Sequence, residues 1–251
     1  MERITSRSNP LMAHIKKLAS SASYRRECGE FVCDSPKLLQ EALQWNAEVL
    51  CVVATGAVAL PALPKGVRQV EVPEELMTSV SPMKTPQGVL FTCRLPRAEL
   101  PETLDGARYM VLDGVQDPGN VGTILRTADA FECDGLLLLD GCADPYSPKT
   151  VRASMGAIFR RSVWTCTAQQ MAQALKASHI PLYGAALRDD TLDARAVDYS
   201  RAALAIGSEG RGLTEEVLSL CDKTIRIPMS PRCESLNAAI AATVLLWEAY
   251  R

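Results

Sequence analysis

From residue 109 onward the chain repeats one pattern: a short apolar run that ends at Gly, Asp or Ala. The runs are Tyr109–Asp113 (YMVLD), Leu136–Asp140 (LLLLD), Pro181–Ala185 (PLYGA) and Ala203–Gly207 (ALAIG), and helical stretches follow several of them. Near-continuous apolar strands alternating with helices predict a parallel sheet covered on both faces. In such sheets ligands sit beyond the carboxyl ends of the strands, so the polar loops there are where chemistry is expected. Residues 29–95 carry a smaller pattern of the same kind. Ser35–Trp45 begins with a cap and a proline and continues with apolar residues at helical spacing. Val49–Ala54 and Val89–Cys93 read as buried strands. Between the two patterns, residues 94–108 hold Pro96, Pro101 and charges without periodicity, which marks a linker. The expected organisation is α/β throughout: a domain over 1–95, a linker over 96–108, and a second domain over 109–251.

Composition narrows the class. With 251 residues, 47% hydrophobic and 22% charged, the chain has enough apolar material to bury a core without staples. A disordered tail, a coiled coil and a collagen-like rod are excluded. The net charge of −2 argues against a surface coated in positive charge. A local patch stays open: residues 1–28 hold Arg3, Arg7, Lys16, Lys17, Arg25 and Arg26 against Glu2 and Glu27. These basic residues read either as a solvated helix face or as an electrostatic contact for phosphates. The longest clean apolar run, Ala238–Trp247, is too short to span a bilayer, so no membrane partner is expected. The N-terminus lacks the apolar core of a signal peptide. Nine cysteines without a C-x-x-C pair read as reduced thiols and a cytoplasmic location. The two histidines, His14 and His179, stand far apart in sequence, so neither a metal site nor a histidine-based nucleophile triad is expected.

Three loops can carry chemistry. The first, Asp113–Phe131, holds a Pro118-Gly119 turn and Asn120, a candidate cap for a helix beginning near Val121. Arg126 lies further into that helix. The second, Gly207–Gly212 (GSEGRG), lets a backbone approach a ligand closely and sets the Glu209 carboxylate at a strand end. Its glycines do not follow the dinucleotide-binding fingerprint, and no Walker sequence occurs. The third, Ile225–Asn237 (IRIPMSPRCESLN), is stiffened by prolines and places Ser235 and Asn237 at a helix start. Each loop has a bland reading as a turn or a cap.

Taken in order, the three loops resemble the signature motifs of the SpoU (TrmH) family of RNA ribose 2′-O-methyltransferases, within the SPOUT superfamily. The first motif is matched by Asp117-Pro118-Gly119-Asn120-Val121-Gly122 and Arg126-Thr127-Ala128-Asp129-Ala130, the second by Gly207-Ser208-Glu209-Gly210, the third by Ile227-Pro228-Met229 and Ser235-Leu236-Asn237. Asp144–Lys149 and Arg152–Ala157 resemble the family too. Upstream, Ile4-Thr5-Ser6, Asn9-Pro10, Lys17-Leu18 and Thr85-Pro86-Gln87-Gly88-Val89 are similar to the substrate-binding domain that these enzymes often carry. One departure stands out: many members have Glu-Gly after the Phe-Val of that domain, where this chain has Cys33 and then Asp34-Ser35.

The resemblance implies a C-terminal trefoil knot, a ribosomal-protein-like α/β domain that grips RNA, a homodimer, and S-adenosylmethionine as cofactor. It implies that Gly207, Ile227 and Leu236 hold the cofactor through backbone groups, with Ala186 adding to the wall. It implies catalytic work for Asn120, Arg126, Glu209, Ser235 and Asn237. In the role expected here, Arg126 clamps the phosphate beside the target ribose, because a guanidinium is always protonated and makes a poor base. Glu209 is expected to orient Arg126. Arg3, Arg7, Lys16, Lys17, Arg25 and Arg26 then become RNA contacts. Ribosomal RNA is the expected substrate, with transfer RNA, or a non-catalytic RNA-binding assembly factor on the same fold, as alternatives.

Overall fold

The computed structural model describes residues 1–96, 99–188, 191–233 and 235–251. The chain divides into two compact units, Met1–Arg97 with Tyr146–Phe159, and Ala98–Pro145 with Arg160–Arg251.

The first unit runs β1 (Glu2–Arg3), α1 (Pro10–Ser20), α2 (Ala22–Cys28), β2 (Glu30–Asp34), α3 (Pro36–Gln44), β3 (Val49–Ala54), β4 (Arg68–Glu71), α4 (Glu74–Val80) and β5 (Val89–Arg94). Its sheet has the order β1-β4-β3-β5-β2, with β5 antiparallel to both of its neighbours. Asn9 opens α1 by accepting from the Leu11 N–H, and Pro10 takes the first helical position, where its missing donor costs nothing. Met12, Ile15 and Leu18 then fall on one face and pack on Val32, Val53 and Leu90 of the sheet.

The second unit begins with β6 (Arg108–Asp113), α5 (Pro118–Ala130) and β7 (Gly135–Leu138). The next helix, α6 (Pro148–Ser154), belongs to the first unit, where Tyr146 and Phe159 flank Phe31 at ring-centroid distances of 5.0 and 6.3 Å. The second unit resumes with β8 (Ser162–Thr165), α7 (Ala168–Ala177), β9 (Leu182–Ala185), β10 (Leu192–Asp193), β11 (Ala202–Gly207), α8 (Glu215–Leu220), β12 (Lys223–Arg226) and α9 (Ala238–Tyr250). Its seven strands lie in the order β10-β12-β9-β11-β6-β7-β8, and every pairing is parallel. All six residues of β11 are buried, which is why that strand reads as an unbroken apolar run.

Of the stretch read as a linker, residues 97 and 98 lie outside the described residues. Within its remainder, Leu104 is buried in the second unit's core and its N–H donates to Ser178 Oγ at 2.7 Å. The helix expected near Val121 starts three residues earlier. Asp117, not Asn120, is its cap, accepting from the Asn120 N–H at 3.0 Å. The far end of α5 is fixed by Asp129, whose two carboxylate oxygens each take an arginine Nε, from Arg160 and Arg161, at 2.7 Å.

Candidate active site

The carboxyl ends of β9, β11 and β12 open into a cavity of about 290 Å³. Ala185, Leu187, Ile206, Ile225, Met229 and Ala241 give it apolar walls. One edge is an arch that folds back on itself: Gly212 N–H donates to Ser208 O at 2.9 Å and Ser208 N–H to Gly212 O at 3.1 Å. The arch closes so tightly over Gly207 that a Cβ there would overlap the backbone of Gly212 and Leu213. Glycine at 207 is therefore a steric requirement of the loop. Asp113, buried at the end of β6, accepts the Thr214 N–H at 2.6 Å and pins the far side of the arch.

All four residues expected to hold a cofactor line this cavity: Ala186, Gly207, Ile227 and Leu236. Ser235 and Glu209 line it as well. Three residues, from the first turn of α5, the loop after β11 and the N-cap of α9, form one hydrogen-bonded chain. Asn120 Nδ2 donates to Glu209 Oε1, and Asn237 Nδ2 donates to Asn120 Oδ1 at 3.3 Å. Asn237 Oδ1 meanwhile caps α9, accepting from the Ala239 and Ile240 N–H groups at 3.0 and 3.3 Å. Both ends of the Asn120 amide are thus occupied, which fixes its orientation.

Two expectations are corrected. Glu209 does not orient Arg126; its partner is Asn120, because the loop after β11 brings the carboxylate to the first turn of α5. Arg126 lies further along, exposed, and makes no ion pair with any described residue. In the first unit, Arg25 is not a phosphate contact: it is only 4% exposed, and its guanidinium donates inward to Leu18 O. Arg3, Arg7, Lys16, Lys17 and Arg26 are exposed. Arg3 faces Glu71 at 3.7 Å, and Lys17 Nζ sits 5.4 Å from the centroid of the Tyr24 ring.

In the sequence Asp113 reads only as the end of a strand and Met229 only as part of the third motif, and neither is given a role in the site there. A carboxylate ending an apolar strand was the available signal for Asp113, and the motif itself for Met229. Among the described residues no group of three His, Cys, Asp or Glu side chains gathers in a way that holds a metal.

An open parallel sheet, an apolar cavity beyond its carboxyl ends and a polar chain at the rim describe an α/β enzyme that holds an apolar-bodied small molecule beside a larger polar one. Residues 107–247 match the SpoU rRNA Methylase family, and residues 9–90 match the MRM3-like substrate binding domain. The 23S rRNA (guanosine(2553)-2′-O)-methyltransferase RlmP of Bacillus subtilis is 30% identical over 248 residues, covering 98% of both chains. The 23S rRNA (uridine(2479)-2′-O)-methyltransferase of Streptomyces viridochromogenes is 32% identical over 84% of this chain and 73% of its own length. An AdoMet-bound rRNA methyltransferase from Sinorhizobium meliloti superposes with a TM-score of 0.88 at 30% identity, over 99% of this chain and 97% of that one. The chain belongs to the SpoU rRNA methylase family. Its architecture is that of the SpoU/TrmH α/β methyltransferases.

Proposed function

We propose that this protein transfers a methyl group from S-adenosylmethionine to a ribose 2′-hydroxyl of ribosomal RNA, in the cytoplasm, as a homodimer. The observation that carries this reading is the chain Glu209···Asn120···Asn237 at the rim of the apolar cavity. It joins the first turn of α5, the loop after β11 and the start of α9, and has no role in the hydrophobic core.

The cavity suits the cofactor. Apolar walls match an adenosine body, and the backbone at Gly207, Ile227 and Leu236 supplies hydrogen-bonding groups with no side chain in the way. When bound there, the cofactor supplies an electrophilic methyl on a sulfonium. A ribose hydroxyl is a weak nucleophile, so the protein's task is to orient it and let its proton leave. Asn120, held rigid at both ends of its amide, faces the hydroxyl. Ser235 fixes the approach from the third loop. Arg126, exposed and free of ion pairs with described residues, clamps the phosphate beside the target ribose. The proton passes to that phosphate or to water. Arg7, Lys16, Lys17 and Arg26 in residues 1–95 hold the RNA backbone, and the second unit carries the chemistry.

A second copy docks on α9. Ile240, Val244 and Trp247 fall on one helical face and are exposed, Trp247 by 53%. An apolar stripe on an otherwise ordinary surface marks an interface.

The test is transfer of labelled methyl to separated ribosomal and transfer RNA, followed by digestion to nucleosides. Label in a 2′-O-methylnucleoside of ribosomal RNA is expected. Label on a base, in transfer RNA alone, or nowhere would refute the corresponding part. Arg126→Ala at saturating cofactor is expected to lose about 100-fold or more in rate, the scale of a lost transition-state contact. A loss within about threefold would remove the clamp.

A further inference from the structure

A second cavity, of about 150 Å³, lies wholly within the first unit. Its walls are Leu38, Met83 and Met155 together with the polar Asp34, Ser35, Lys37, Gln87 and Arg152. The Asp34 carboxylate ends β2 and is only 5% exposed on its side chain. It accepts from Arg152 Nη1 at 2.8 Å. Burial pushes the Asp34 pKa up, and Arg152 opposes that shift. Taking a carboxylate out of water is costly, and a single guanidinium contact offsets only part of it.

What Asp34 achieves is to tether the Arg152 guanidinium through Nη1. Arg152 is 36% exposed, and its Nε and Nη2 groups have no partner among the described residues. Two donors of a rigid fork are thus left available at a cavity lined also by Leu38, Met83 and Met155 and by the polar Ser35, Lys37 and Gln87. The backbone supports the same reading. Ser35, at the mouth of α3, sits at φ +93° and ψ 145°, a conformation that favours glycine. Such strain persists where the surroundings hold a segment in place for a purpose.

Leu38, Met83 and Met155 suit a flat, polarisable occupant, and the arginine fork suits two adjacent acceptors on one edge of it. Among RNA groups that is guanine, through O6 and N7, which an arginine fork reads bidentately. Adenine puts a donor at the matching position, and pyrimidines lack the ring nitrogen. RNA readers usually take bases that are already unstacked. We propose that this cavity takes one unstacked guanine of the RNA substrate, with O6 and N7 accepting from Arg152 and the ring between Met83 and Met155. Asp34 is a positioning residue, and Lys37 and Gln87 meet the flanking backbone. The inference rests on the RNA-modifying function proposed above, and concerns which nucleotide the first unit reads.

The test uses the full chain and fluorescent RNA nonamers, four uridines on each side of a central G, A, C, inosine or 7-deazaguanosine. Anisotropy is expected to show G and inosine alike, and about tenfold tighter than A or C, the scale of one bidentate contact. 7-Deazaguanosine is expected to fall to the level of A. The double variant Asp34→Asn, Arg152→Gln keeps a neutral hydrogen bond without orphaning a buried charge, and is expected to erase the preference. Its S-adenosylmethionine affinity, measured by calorimetry, is expected to stay unchanged. Equal binding of G and A, binding of 7-deazaguanosine as tight as G, a preference that survives the double variant, or no binding to any nonamer would each overturn the proposal. Loss of methyl transfer with an intact guanine preference would instead refute the catalytic reading and leave this one standing.

Discussion

Replacing Gly207 with alanine tests the architecture of the active-site rim. The added methyl overlaps the carbonyl carbon and oxygen of Gly212 and the nitrogen of Leu213. All three are backbone atoms, so no rotamer change relieves the clash, and the arch must open. Opening breaks the two hydrogen bonds between Ser208 and Gly212, each worth about 0.5–1.5 kcal/mol net. If the displacement reaches Thr214, its bond to the Asp113 carboxylate weakens too, adding up to about 1.5–3 kcal/mol. The expected cost is therefore about 1–3 kcal/mol, and as much as about 6 if the whole arch detaches. In a chain of this size about 1–3 kcal/mol lowers Tm by roughly 2–12 °C. Gly207, Ser208, Glu209 and Gly212 all line the cavity, so affinity for the cofactor proposed to sit there is expected to fall with the arch. A loss of about 1.4 kcal/mol at the site is tenfold in Kd. Gly210 provides the control, since a Cβ there meets nothing within 4 Å. The assays are a thermal melt and calorimetric titration of S-adenosylmethionine on wild type, Gly207→Ala and Gly210→Ala. A Gly207→Ala variant with unchanged Tm and a Kd within about twofold of wild type would show that the arch has room, and the steric argument would fail.

Ser35→Gly is expected to raise Tm by about 2–4 °C, because relief of about 1–3 kcal/mol of backbone strain exceeds the added chain entropy and the weakened cap. Native thiol titration at pH 8 is expected to show Cys233 reacting first, since it is the one exposed cysteine of nine, while burial pushes Cys133 and Cys166 up to about 12. Saturating S-adenosylmethionine is expected to slow that reaction, because Ser235 and Leu236 beside it line the cavity; an unchanged rate would place the cofactor elsewhere. Val244→Glu puts a charge into the exposed stripe of α9 and is expected to shift sedimentation from dimer to monomer, and a wild-type profile would move the interface to another face.

Elements whose burial is symmetrical were legible in the sequence. Val49–Ala54 is a strand over the very residues that the apolar run spans, and β9 and β11 lie within a residue of their runs, because both faces of these strands are covered. β4 (RQVE) and β12 (KTIR) were not legible as strands over their own residues, since each buries only one residue and the rest of the sequence is polar. In the site, the small and apolar lining residues follow from their place at strand ends. The partnership of Glu209 does not, because it depends on how far along α5 the loop after β11 reaches, and spacing within either segment is silent on that. Arg25 failed for a simpler reason: charge counted along a sequence takes no account of which way a helix turns it.

Helix α9 is one wall with two sides. Ala238 and Ala241 face the cavity, Ile240, Val244 and Trp247 face outward, and the residue that caps the helix, Asn237, also steadies Asn120. Whatever fills the cavity and whatever seats on the outer face therefore press on the same short rod. Thermodynamic reciprocity then requires that any strengthening of assembly by the ligand be matched, factor for factor, by a strengthening of ligand binding on assembly. Titrating one while watching the other measures the stiffness of thirteen residues.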